Sequence, residues 1–306
     1  MLIGILCGLA TCALWGLSFV APRVVVPYTT IDLTVARYGL FAAVSLILMV
    51  NPRFRPVGLR RSLLLTGIAL GGFGYVGYFM SISYAVRYAG TAIPPLVIGT
   101  MPVLLAIIAN FKDRSIGWGA LALPLILIAA GIGWVNVSIF ASTPAGDQTG
   151  ILLGIAAALI GLALWVVYGL ISAAVMQSAE APSAMHWTAL QGIGAGIGAV
   201  ILLPFTSIWE NISFTGEETF HFVLWVAVMG IAGSWLATLS WMIAARLLPL
   251  ALAAQLIVAE TVFGLFYGFL FEQRMPTVPE AGGAILQLAG VGMAIAIFTP
   301  RRVKAT

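Results

Sequence analysis

Apolar residues run through this chain in long blocks, separated by short clusters of charge, proline and glycine. About 20 apolar residues carry a helix across roughly 30 Å of hydrocarbon. Ten stretches qualify, running approximately from Leu2 to Ala21, Asp32 to Val50, Ser62 to Val86, Ala92 to Phe111, Ile116 to Val137, Gly150 to Met176, Ala184 to Ile208, Thr219 to Ala245, Pro249 to Phe271 and Ala281 to Thr299. Every connection between them is short. The pattern predicts an all-α integral membrane protein of ten transmembrane helices with no extramembrane domain. The first block lacks a basic stretch before its apolar run, so it reads as a retained spanning helix and not as a signal peptide.

The pattern also repeats. Displaced by 159 positions, Gly71, Gly74, Ser81, Arg87, Val103, Gly131 and Gly133 fall on Gly230, Gly233, Ser240, Arg246, Val262, Gly290 and Gly292. Near the start of each half a displacement of 150 pairs Leu2, Gly4, Ala13, Leu14 and Trp15 with Leu152, Gly154, Ala163, Leu164 and Trp165. The sequence therefore predicts a duplication, with a first five-helix repeat over residues 1–148 and a second over 149–306. Because five is odd, the second copy enters the membrane from the opposite side, which makes the halves inverted repeats of the kind transporters use.

Composition narrows the function class. Of 306 residues 61% are hydrophobic and 8% charged, against about 25% charged in soluble domains. Of the 14 Lys and Arg all but Arg37 lie in connections, and most of them fall on one side: Arg53, Arg55, Arg60, Arg61, Lys112, Arg114, Arg246, Arg301, Arg302 and Lys304 against Arg23, Arg87 and Arg274. That bias orients both termini to the cytoplasm and argues against a nucleic-acid surface. Cys7 and Cys12, five apart in one apolar run, fit neither a disulfide nor a metal motif. His186 and His221 have no second ligand at metal spacing, and Gly72, Gly74 and Gly77 fit a dinucleotide fingerprint only inside a membrane span, where they serve helix packing. The chain shows no enzyme constellation and calls for no cofactor.

Few polar residues interrupt the spans, and each is a candidate. Glu260 lies near the middle of the ninth stretch, where an ionised side chain costs roughly 2.5–3.5 kcal/mol unless it faces protein or water. It reads as a proton-carrying or cation-pairing group, or as a carboxyl paired to another helix. Gln255 adds a second polar group about 7.5 Å along the same helix. Arg37, five residues into the second stretch, either snorkels to the interface or presents an anion-binding guanidinium to the interior. Tyr75, Tyr78 and Ser81 recur at i, i+3, i+6 and suit an amphipathic ligand, with Trp165, Tyr168, Trp235 and Trp241 as further members or as ordinary interfacial anchors. Pro94, Pro95 and Pro102 interrupt the fourth stretch, and broken helices in transporters border the substrate site.

Taken together, Ala13-Leu14-Trp15-Gly16-Leu17-Ser18-Phe19, Arg37, Pro102, Asp113-Arg114, Glu272-Gln273-Arg274, Gly131 and Gly290 resemble the drug/metabolite transporter superfamily, EamA-type ten-helix carriers, over nearly the whole chain. The resemblance implies inward termini, a bacterial inner membrane, a central cavity between the repeats, and export or exchange of small metabolites. It also makes Trp15, Gly99 and Met101 candidate cavity residues, whereas Glu260 matches no family position. The reading that follows is a secondary carrier of small amphipathic metabolites such as amino acids, acting by alternating access with protons as the candidate coupling ion. Uptake or exchange is the alternative direction; a membrane enzyme or a non-transport scaffold is the alternative class.

Overall fold

A computed structural model describes residues 1–113, 117–142, 144, 148–176, 178–210, 214–248 and 250–298. Among them the chain is helical without strands. We number the helices α1 (Leu2–Gly16), α2 (Thr30–Leu48), α3 (Arg61–Ala89), α4 (Ile93–Ile98), α5 (Met101–Asp113), α6 (Trp118–Ser142), α7 (Gln148–Met176), α8 (Ala184–Leu202), α9 (Gly216–Leu247), α10 (Leu250–Phe271) and α11 (Val278–Phe298). Eight helical stretches are long and apolar enough to cross a membrane, and two shorter apolar helices, Ile93–Leu105 and Leu256–Phe271, accompany them.

Several helix starts are fixed by side chains that satisfy the first free N–H groups. Thr29 with Asp32 caps α2, Thr215 with Glu218 caps α9 and Thr277 with Glu280 caps α11, each as a reciprocal box. Asp32 also accepts from the Ser207 N–H at 2.8 Å and the Ser207 hydroxyl at 2.7 Å, tying α2 to the turn after α8.

The fourth predicted span is not one helix. It divides into α4 and α5 at Gly99 and Thr100, where the Thr100 hydroxyl bonds back to Val97 O at 2.7 Å. Pro102 supplies no N–H to continue the ladder. Two spans carry an unexpected widening: α3 is a π-helix over Leu70–Gly77 and α9 over Val228–Leu236, stretches that overlap under the displacement of 159.

Helices pair across the two halves of the chain. α2 lies on α8, α6 on α11, the second part of α3 on α7, and α1 on α10 and the second part of α9. Small residues permit these approaches. A Cβ on Gly131 would lie 2.5 Å from Gly283 O, and one on Gly290 would lie 2.7 Å from Pro124 O. The buried centre is aromatic, with Trp15, Phe19, Tyr38, Phe41, Tyr75, Phe79 and Trp165 in one cluster. Outward-facing Leu46, Ile47, Leu153, Ile160, Val200 and Phe266 are exposed, as a lipid-facing surface requires.

Candidate functional site

Arg37 lies well inside the bundle. It is only 3% exposed, so the snorkelling alternative fails: α9, Phe79 of α3 and the turn after α1 close over it before its side chain reaches an interface. Its Nε donates to Ser234 Oγ at 2.9 Å, its Nη1 to Ser18 Oγ at 3.2 Å and its Nη2 to Gly233 O at 3.2 Å. The guanidinium lies 4.2 Å from the Phe79 ring centroid and 5.0 Å from that of Tyr38, close enough for cation–π attraction. Every protein acceptor here is neutral, and donors remain on the guanidinium beyond the three in use.

Glu260, on α10, is 4% exposed. Among the described residues its carboxylate has no hydrogen bond and no cationic group within 4 Å. Two small cavities meet at it, each with room for about one water molecule. One is lined by Trp15, Ser18, Arg37, Tyr38, Tyr75, Tyr78, Trp165 and Glu260; the other by Ile98, Gly99, Met101, Pro102, Trp165, Ile257, Glu260 and Thr261. Arg37 and Glu260 thus face one enclosed space carrying opposite formal charges without forming an ion pair.

The walls are aromatic. Trp15 meets Trp165 edge to face with centroids 5.2 Å apart, and Trp165 stacks on Tyr78 at 4.6 Å and on Tyr168 at 4.7 Å. Tyr75 holds Thr238 Oγ1 at 2.8 Å and the Tyr168 hydroxyl at 3.1 Å, and Tyr168 continues to Gln191 Oε1 at 3.3 Å. By contrast the Tyr78 hydroxyl and Trp165 Nε1, both buried, have no partner among the described residues. Orphaned buried donors are uncommon and call for an explanation.

The candidates read from sequence divide accordingly. Trp15, Arg37, Tyr75, Tyr78, Gly99, Met101, Trp165 and Glu260 line the two cavities, and Tyr168 backs them. Ser81 does not: its hydroxyl returns to Gly77 O at 2.9 Å and its Cβ packs toward Gly161 of α7, because each i, i+3 step drifts by about 60° around a regular helix and carries Ser81 off the face. Trp235 is partly buried near Phe54, with centroids 6.4 Å apart, and lines neither cavity. The side chain of Gln255 lies outside the described residues. Sequence reasoning missed Ser18, Tyr38, Ser234 and Thr261. Ser234 had a signal, since it is the repeat mate of Tyr75 at a displacement of 159.

No family model matches the chain. It is 29% identical to the inner membrane protein YtfF of Escherichia coli (strain K12) over 313 aligned residues, covering 96% of this chain and 95% of that protein. It is 21% identical to the uncharacterized transporter YoaV of Bacillus subtilis (strain 168), covering 95% and 96%. A solved crystal structure superposes with a TM-score of 0.62 at 20% identity, covering 95% of this chain and 96% of that one, which is a likeness of fold.

Proposed function

We propose that this protein is a secondary transporter of the inner membrane, in the manner of the drug/metabolite transporter superfamily and its EamA-type carriers, with both termini in the cytoplasm. The full-length relatives named as an inner membrane protein and a transporter support the class. The observation that carries the reading is Arg37 and Glu260 facing one closed, aromatic cavity unpaired. Keeping two ionisable groups in the membrane interior is costly. A protein that needed them only for its fold would gain by joining them, whereas a carrier keeps them apart for its cargo.

In this reading Arg37 receives the carboxylate of a small amphipathic metabolite such as an amino acid. Trp15, Trp165, Tyr75, Tyr78 and Met101 enclose the rest of it. The Tyr78 hydroxyl and Trp165 Nε1 are donors available to substrate oxygens. Glu260 carries the coupling charge by taking a monovalent cation, the proton being the simplest. Binding cargo at one group and a cation at the other neutralises the site without an ion pair inside the protein.

The motion is alternating access between two inverted five-helix repeats, residues 1–148 and 149–306, running in the direction of export. The reciprocal contacts of Gly131 and Gly290 support the repeats. The cavities hold about one water each, so a metabolite enters only once helices part. A counterflow screen of amino acids and their decarboxylated analogues in liposomes containing the purified protein tests the reading. Exchange of carboxylate-bearing compounds is expected, and no exchange of any compound would overturn it.

A further inference from the structure

The break between α4 and α5 leaves more free oxygen than the transport reading uses. In a continuous helix Ile98 O would accept from residue 102, but that residue is Pro102 and has no N–H. Among the described residues no donor reaches Gly99 O either, because the Val103 N–H turns to Thr100 O at 3.0 Å. Neighbouring carbonyls are all engaged. Pro95 O accepts from Gly99 N at 2.9 Å, Val97 O from Thr100 N at 3.2 Å, and Leu96 O from Gln287 Nε2 at 2.6 Å.

Ile98 and Gly99 line the same cavity as Glu260 and Thr261, neither of whose side chains has a hydrogen bond among the described residues. A Cβ on Gly99 would run into Thr261 Oγ1 and come within 2.7 Å of Gln287 Nε2, so these groups crowd the same point. Independently, Gln287 is 1% exposed and its Oε1 has no partner among the described residues. The unengaged acceptors are thus a carboxylate, two backbone carbonyls, a hydroxyl and an amide oxygen. Oxygen-only donor sets select hard cations, and unwound carbonyls with a carboxylate are how transporters hold sodium. A single carboxylate balances one positive charge, which favours a monovalent ion, and sodium is the one that unwound carbonyls take in transporters.

We propose that Glu260, Thr261, Gln287 and the freed carbonyls of Ile98 and Gly99 form a binding site for a sodium ion. It stands on the broken helix and not on the transport reading, so it is tested without any substrate. The charged and titratable groups around Glu260 are Arg37, Tyr38, Tyr75 and Tyr78 of α2 and α3 across the adjoining cavity, and Cys12 of α1, whose thiol meets Leu256 O at 3.2 Å.

The experiment measures binding of radioactive sodium to the purified full-length protein, with thermal unfolding in sodium, potassium or choline chloride at constant ionic strength. Saturable sodium binding with a higher unfolding temperature in sodium alone is expected. Thr261→Val, which keeps the side-chain shape, should lower sodium affinity by about tenfold or more, and Glu260→Gln should abolish it, both with unchanged unfolding temperatures in choline. Should Glu260→Gln not fold, Thr261→Val and Pro102→Ala, which restores an N–H to Ile98 O, decide the matter by affinity. Absence of sodium binding in the wild type, stabilisation by acid pH alone, or equal binding in wild type and variants would overturn the proposal.

Discussion

Gly131 and Gly290 hold reciprocal places in the pair formed by α6 and α11. Gly131 approaches Gly283 O and Gln287 N, while Gly290 approaches Pro124 O and Ile128 N. Each of these contacts maps onto the other under the displacement of 159 residues. Residue numbers rise along one helix as they fall along the other, so the two run antiparallel. An antiparallel, reciprocal contact is what the proposed inverted repeats would produce.

The same pair yields a stability prediction. Alanine at Gly131 or at Gly290 pushes a methyl group against backbone on the facing helix, and overpacking of this kind costs about 1–3 kcal/mol. Gly133 and Gly292, also 159 apart, have open space where a Cβ would go. Thermal unfolding in detergent should show losses of similar size for Gly131→Ala and Gly290→Ala, and none for Gly133→Ala and Gly292→Ala. A loss confined to one half of the chain would contradict the reciprocity.

Arg37 is anchored as well as exposed to the cavity, so its replacement acts twice. Hydrogen bonds to charged groups are worth about 1.5–3 kcal/mol each, and Arg37→Lys loses the fork that spans Ser234, Ser18 and Gly233. We predict a lower unfolding temperature for Arg37→Lys and Arg37→Ala alike. Transport separates the roles. Uptake of carboxylate-bearing substrates should fall about tenfold or more beyond that of their decarboxylated analogues, and equal losses for both classes would assign Arg37 to structure alone.

How much of this was legible before the structure differs from residue to residue. The all-helical, membrane-spanning character was, because apolar blocks survive as one-dimensional patterns. Arg37 was ambiguous because its distance from the helix start says nothing about what covers it, and that cover comes from Ser18 and from Gly233 and Ser234 almost 200 positions away. The π segments were hidden, since Gly71, Gly74, Gly230 and Gly233 read as packing glycines whether the turn is widened or regular.

Tyr78 and Trp165 separate binding from folding most cleanly. Their hydroxyl and Nε1 have no partner among the described residues, so removing them takes away no hydrogen bond found there. Tyr78→Phe should keep the wild-type unfolding temperature or raise it, while weakening exchange of carboxylate-bearing substrates by about 1–3 kcal/mol, or roughly 5- to 150-fold. Trp165→Phe removes ring volume too and should be somewhat less stable. Full exchange activity in Tyr78→Phe would show that this donor does not meet the substrate.

Central to the account is that Glu260 carries the coupling charge and Arg37 the cargo, two tasks kept apart in one cavity. Glu260→Gln preserves shape and removes the charge. The decisive measurement is accumulation of an exchanged substrate in liposomes under an imposed proton gradient, an imposed sodium gradient or none, for wild type and Glu260→Gln side by side. We predict that the wild type accumulates substrate against its gradient under at least one imposed cation gradient, and that Glu260→Gln still exchanges substrate but only equilibrates it. Undiminished, gradient-driven accumulation by Glu260→Gln would contradict the account.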